Sequence, residues 1–237
     1  MTHPVEISFT ATETGDLATR PGRIAILVTE GGRLPGGLPR PTREAALRAL
    51  ESDAWTAVKP GGALDLAFPG GIQADALQLV SLPARADVAT ARKAGAAIGA
   101  KLGKSGTLVL AGAHARAAEV ALGLALRAYD FSAYKTKPGA GDDEAPAPRG
   151  RVTFMHKDPE ALARVAADGA ALAEGVFFTR DLVSEPANVL TTSDFADRLL
   201  AMRELGLDVE VLDEPELETL GMRALLAVGQ GSESPSK

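Results

Sequence analysis

Short apolar runs alternate with amphipathic stretches over residues 1–155. The apolar runs predict strands over Val5–Phe9, Arg23–Thr29, Ala63–Phe68, Leu77–Leu82, Thr107–Ala111 and Val152–Met155. The stretches between them predict helices over Thr42–Ala54, from Asp87 or Thr90 to Leu102, and over Ala115–Tyr129. Because Arg23–Thr29 is almost continuously apolar, it is expected to be buried on both faces of a sheet. This order of elements predicts an α/β fold, a three-layer α/β/α sandwich with a mostly parallel or mixed sheet.

A long helix is predicted after the last of these strands. Asp158 can cap it and Pro159 suits its first turn, and apolar residues at helical spacing continue to about Val183. Pro186 has no N–H and disfavours helical backbone at Glu185, so the helix should end there. Beyond it we expect a helix over Phe195–Leu205 capped by Thr192, Ser193 or Asp194, a strand over Asp208–Leu212, a short helix over Glu214–Leu220 and a glycine loop around Gly229–Gly231.

The stretch KPGAGDDEAPAPR at 137–149 is rich in proline, glycine and acidic residues and has no apolar face. It predicts an exposed, mobile loop. Its acidic trio, Asp142, Asp143 and Glu144, is interpreted as a solvated charge run. Adjacent carboxylates on a flexible loop could converge on one metal ion only at a large cost in conformational entropy.

Composition narrows the class of protein. The chain has 237 residues, a net charge of −6 and no cysteine, which excludes disulfides and thiolate metal sites. Its first residues, MTHPVEISFT, do not resemble a secretory signal, so a cytoplasmic location is the default expectation. The apolar runs are shorter than the ~20 residues of a membrane-spanning helix. Lys and Arg are not clustered, so nucleic acid is not expected as a main partner.

Local motifs for chemistry are not found. The three histidines, His3, His114 and His156, are far apart and form no HxxxH or HxH pair, so each is interpreted as solvated or structural. A nucleophile elbow, a P-loop and a GxGxxG motif that opens a helix are also missing. We therefore assign no catalytic, metal-binding or cofactor-binding residue.

Two motifs carry a family resemblance. They are TRDLVSEPANVL at Thr179–Leu190 and GMRALLAVGQGS at Gly221–Ser232. Together with YDF at 129–131 and YKT at 134–136, they resemble the leucyl aminopeptidases, two-metal exopeptidases that are also called cytosol aminopeptidases. The usual family motif has Asn at the position of Ser184, which alters one loop contact.

The resemblance implies a domain division: an N-terminal, macro-domain-like α/β domain over 1–155, a linker helix over 156–185, and the start of the catalytic domain over 186–237. In this family, Asp, Glu and Lys residues that follow the VGQGS motif hold two divalent ions, Mn or Zn, and none of those motifs is in this sequence. We therefore expect the N-terminal portion, a fragment, of a metalloprotease: a hydrolase that removes N-terminal amino acids from peptides. By itself the chain is expected to be inactive.

The family also implies a homo-oligomer, typically a hexamer, when the protein is full length, whereas this chain alone need not assemble. The alternative is a stand-alone, non-catalytic module, because macro domains bind ADP-ribose and such a module could bind a nucleotide or support assembly. The predicted start of a second domain over Phe195–Ser232 weighs against this alternative.

Overall fold

The computed structural model of the chain describes residues 2–134 and 150–237. The loop predicted at 137–149, with its acidic trio, lies outside the described residues. The chain divides into two compact units, the first ending at Phe177 and the second running from Phe178 to Lys237. Among the described residues, no helix is both long enough and apolar enough to cross a membrane.

The first unit contains all the strands and helices predicted before residue 156, with ends shifted by a few residues. Its strands are β1 (Ile7–Ala11), β2 (Arg23–Val28), β3 (Ala63–Ala67), β4 (Ala76–Ser81), β5 (Thr107–Gly112) and β6 (Val152–His156). Its helices are α1 (Arg40–Leu50), α2 (Asp53–Thr56), α3 (Val88–Gly99) and α4 (Ala117–Arg127). The single helix predicted over Thr42–Ala54 is instead two helices. Ser52 starts α2 because its side chain accepts a hydrogen bond from the backbone N–H of Trp55.

The strands form one six-stranded sheet in the order β1-β6-β5-β2-β4-β3. All neighbours are parallel except β3, which runs antiparallel to β4. The central strand β2 is buried on both faces, as predicted. Ala25 and Leu27 contribute to one apolar core, whereas Ile24 and Ile26 contribute to the other.

Helices cover both faces of the sheet, which confirms the predicted α/β class. Helices α3 and α4 pack on the first core, and α1 packs on the second. Glycines allow α3 and α4 to approach closely. A Cβ atom on Gly95 would lie 1.9 Å from the carbonyl oxygen of Val120, and one on Gly123 would lie 2.0 Å from that of Arg92.

The long helix α5 runs over Pro159–Ser184, close to its predicted ends. Asp158 caps it, since the backbone N–H of Ala161 donates to Asp158 Oδ1 at 3.0 Å. The border between the two compact units falls within this helix.

The second unit continues with α6 (Thr192–Leu200), a 3₁₀ helix (Ala201–Leu205), α7 (Glu214–Thr219) and α8 (Arg223–Gly229). The prediction of a strand over Asp208–Leu212 was wrong. A strand needs a neighbour for its backbone groups, and all strands of the described residues lie in the first unit. The glycine loop also begins later than predicted, because the good helix formers Ala224–Ala227 carry α8 to Gly229.

Candidate functional site

Residues 185–188, with the sequence EPAN, begin where α5 ends, and we call them the EPAN motif. The N–H of Glu185 still donates to the carbonyl of Asp181 at 2.9 Å, so it makes the last helical bond. The carbonyl of Pro186 then accepts from the N–H groups of Val189 and Leu190, both at 2.9 Å. Pro186 therefore stops the helix and opens a compact turn, as its missing N–H predicts.

An ion pair joins this turn to α6. Arg198 Nη2 lies 3.5 Å from Glu185 Oε1, and the two side chains are only 23% and 13% exposed. Limited exposure reduces the screening of this pair by water. The pair fixes the first residue of the EPAN motif against the helix that follows it.

A capping box starts α6. The hydroxyl of Thr191 and the backbone N–H of Thr191 both donate to Asp194 Oδ2, and the N–H of Asp194 donates back to Thr191 Oγ1 at 3.4 Å. The hydroxyl bond, followed by the backbone bond, lowers the pKa of Asp194 below its ordinary value. The predicted cap lay one to three residues too late. The Thr-x-x-Asp spacing resembles a capping-box signature and could have indicated Thr191.

The histidines lie in separate places. His114 follows β5 and is 8% exposed, with Nε2 3.0 Å from the carbonyl of Pro83 and Nδ1 accepting from the N–H of Arg116 at 3.1 Å. Since Nδ1 accepts, Nε2 carries the proton and donates to Pro83, so both ring nitrogens are engaged. His156 ends β6, where its Nδ1 lies 2.9 Å from the carbonyl oxygen and 3.1 Å from the backbone nitrogen of Asp158.

Metal ligands do not converge in the described part of the chain. No group of three or more His, Cys, Asp or Glu side chains within residues 2–134 and 150–237 could hold a metal ion. These donors do not fit a site for two divalent ions, which requires several converging carboxylates. We therefore derive no catalytic step from these residues.

Comparison with known proteins links this segment to a catalytic domain. Residues 177–237 match the family described as "Cytosol aminopeptidase family, catalytic domain". Over 240 aligned residues, the chain is 55% identical to the "Probable cytosol aminopeptidase" of Cereibacter sphaeroides and 48% identical to that of Dinoroseobacter shibae. Each alignment covers 100% of this chain and 48% of the relative.

Solved structures share the fold. The chain is similar to "Bottromycin maturation enzyme BotP in complex with Mn", with a TM-score of 0.64 and 27% identity over 90% of this chain and 43% of BotP. A mutant of tomato leucine aminopeptidase has a TM-score of 0.69 and 20% identity over 99% of this chain and 50% of that protein. At that identity, the tomato enzyme supports the fold alone.

The fold and the catalytic-domain match both relate this chain to the cytosol aminopeptidases. The chain is similar over its whole length to curated cytosol aminopeptidases, and residues 177–237 match the catalytic-domain model of that family, which confirms the resemblance seen in its motifs. The chain spans about half the length of the curated relatives that it matches, 48% in each case.

Proposed function

We propose that this chain is the N-terminal portion of a two-metal leucyl aminopeptidase that removes N-terminal amino acids from peptides. In this proposal, residues 1–155 are the N-terminal domain, 156–185 the linker helix and 186–237 the start of the catalytic domain. The observation that carries the proposal is the catalytic-domain match over residues 177–237. The turn at Pro186 and its ion-paired neighbour Glu185 lie within that match.

We further propose that the whole enzyme uses two divalent ions, Mn or Zn. The manganese named for BotP supports a divalent metal in this family. The described residues provide no converging set of ligands, and in this proposal the ligands lie in the part of the family sequence that follows the VGQGS motif. The ions would lower the pKa of a bound water and stabilise charge on the peptide carbonyl.

The remaining expectations follow from the family. Its name supports a cytosolic location and peptides as substrates. The resemblance of the motifs to the family implies a homo-oligomer, with a hexamer as the expected state of the full-length protein. The chain alone need not form that hexamer, because family members assemble largely through their catalytic domains.

A chimera tests this proposal. The 237-residue chain alone, supplied with Mn²⁺ or Zn²⁺, should show no saturable hydrolysis of leucine p-nitroanilide. The same chain, fused to the part of the Cereibacter sphaeroides relative that follows the aligned region, should hydrolyse it in a metal-dependent way. The full-length relative is the positive control. A chimera that folds but stays inactive with both metals would contradict the proposal, as would turnover by the chain alone.

A further inference from the structure

Strand β1 lies at the edge of the sheet. Among the described strands it pairs only with β6. In a parallel pair, every second residue of a strand bonds to its neighbour through both backbone groups. The N–H of Val152 donates to the carbonyl of Glu6 at 3.0 Å, so Glu6 is one of these residues in β1. The backbone groups of Glu6, Ser8 and Thr10 therefore point towards β6. The backbone groups of the odd-numbered residues of β1, which are Ile7, Phe9 and Ala11, point outwards from the sheet.

This outer edge lacks the usual features that prevent pairing. The sequence of β1, ISFTA, contains no charge, proline or glycine, and its register with β6 has no bulge. Natural edge strands are commonly blunted by such features because their free backbone groups can pair with another chain. The opposite edge is different: β3 carries Asp65, which is ion-paired with Arg23. Within the part of the chain that the structure describes, the residues of β1 are half-buried or exposed.

We propose that β1 pairs in an antiparallel arrangement with β1 of a second copy of this chain, around a two-fold axis at Phe9. Phe9 then lies opposite the partner's Phe9, and Ile7 lies opposite the partner's Ala11. Each opposed pair exchanges two backbone hydrogen bonds. This is the one antiparallel register in which all the outward groups of Ile7, Phe9 and Ala11 are satisfied on both strands.

The side chains also favour a second copy as the occupant. Phe9 packs on the α4 side of the sheet, where its ring centroid lies 5.9 Å from that of Phe154. In the proposed register the two Phe9 rings become cross-strand neighbours on this face, a favourable aromatic pair. On the other face, Ser8 lies opposite the partner's Thr10, which matches two hydroxyl side chains.

A groove beside this edge provides room for the partner. Its volume is about 390 Å³, and Ile7 and Phe9 line it together with small residues of α4 and α5, such as Ala121 and Ala170. Opposed residues in an antiparallel pair project to the same face. The partner's Ile7 and Phe9 therefore project to the face that carries the groove, where apolar side chains lose water-exposed area.

Engineered disulfides test the register directly, because the chain has no cysteine. In the proposed pairing, residues 8 and 10 of opposite strands form non-hydrogen-bonded pairs with Cα atoms about 4.5 Å apart, within the range for a disulfide.

Ser8→Cys and Thr10→Cys proteins, one of them carrying a mass tag, are oxidised separately and as a mixture. The mixture should give a cross-linked heterodimer, whereas each protein alone should cross-link about tenfold more slowly, since its cysteines would be diagonal neighbours about 7–8 Å apart. Absence of the heterodimer, or equal cross-linking of either protein alone, overturns the proposal.

A second pair of variants tests the hydrogen bonds. Ala11→Pro removes an outward N–H and leaves the β1–β6 ladder bonds in place, whereas Ala11→Val keeps that N–H. In sedimentation velocity, the unmodified chain and Ala11→Val should dimerise. Ala11→Pro should dimerise about 100-fold more weakly, because the two-fold axis doubles each lost bond. A monomeric unmodified chain overturns the proposal, and so does a folded Ala11→Pro variant that dimerises normally. If Ala11→Pro does not fold, the cross-linking result decides. The measurement needs no metal or substrate, so it is independent of the proposed activity.

Discussion

Thr191 shows how one side chain determines where a helix begins. The N–H of Thr191 donates to the Asp194 carboxylate, and the N–H of Asp194 donates to Thr191 Oγ1, so two backbone groups at the start of α6 that have no partner within the helix are satisfied. The family motif ends at Leu190, immediately before this cap, so the box fixes the chain direction right after the motif.

The pKa of Asp194 provides a test of this box. In Thr191→Ala, the pKa of Asp194 should rise towards its ordinary value, because the hydroxyl bond is the largest cause of its lowering. A lowered folded-state pKa stabilises the native state above the unfolded-state pKa, and this stabilisation disappears as the pH falls through the folded-state pKa. Carboxyl NMR titration measures the pKa values of Asp194 and Asp87 in the same experiment. Asp87, whose pKa is lowered by its own bonds with Thr90, is the internal control and should not change. An unchanged pKa of Asp194 would contradict the assigned cause.

At the scale of elements, the contact between α3 and α4 depends on glycines rather than on interlocking large side chains. Gly95 and Gly123 face backbone atoms of the opposite helix at distances that no Cβ atom could occupy. The sequence predicted both helices and the small residues of α3. It could not show which glycines lie at the crossing, because helical periodicity gives the face of a helix but not the partner of that face.

Replacement of Gly123 in α4 and of Gly175 in α5 should have opposite effects on stability. Gly123→Ala should lower the free energy of unfolding by about 2–3 kcal/mol, because the added methyl group would overlap the carbonyl of Arg92 and force the helices apart. Gly175→Ala, in α5, meets nothing within 4 Å and should raise the stability by about 0.5–1 kcal/mol, since alanine favours helix more than glycine does. Urea unfolding followed by circular dichroism measures both changes. Equal effects of the two substitutions would be inconsistent with a close helix crossing at Gly123.

At the scale of the whole molecule, local patterns predicted the first unit far better than the second. The strands of the first unit are short apolar runs, and each finds a neighbouring strand in the same unit. Asp208–Leu212 alternates polar and apolar residues as a strand can, but no strand lies beside it. The sequence pattern of a segment does not show whether a neighbouring strand is present. A metal site is expected from the family resemblance alone, because no group of three or more His, Cys, Asp or Glu side chains converges among the described residues.

This contrast predicts different behaviour for the two parts of the chain. Both large cores consist of residues between Leu17 and Leu162, flanked by half-buried residues such as Val5 and Ile7. A chain that ends at Ser184 therefore contains every residue of these two cores and all six strands of the described residues. We expect residues 1–184 to fold by themselves and to unfold cooperatively on heating, because a unit with its own apolar core is a folding unit.

Residues 185–237 by themselves contain only short helices, the longest being α6 with nine residues, and should show little helix and no cooperative transition. Circular dichroism during thermal unfolding measures both fragments. Loss of the cooperative transition in residues 1–184 would show that the first unit depends on the second for its stability.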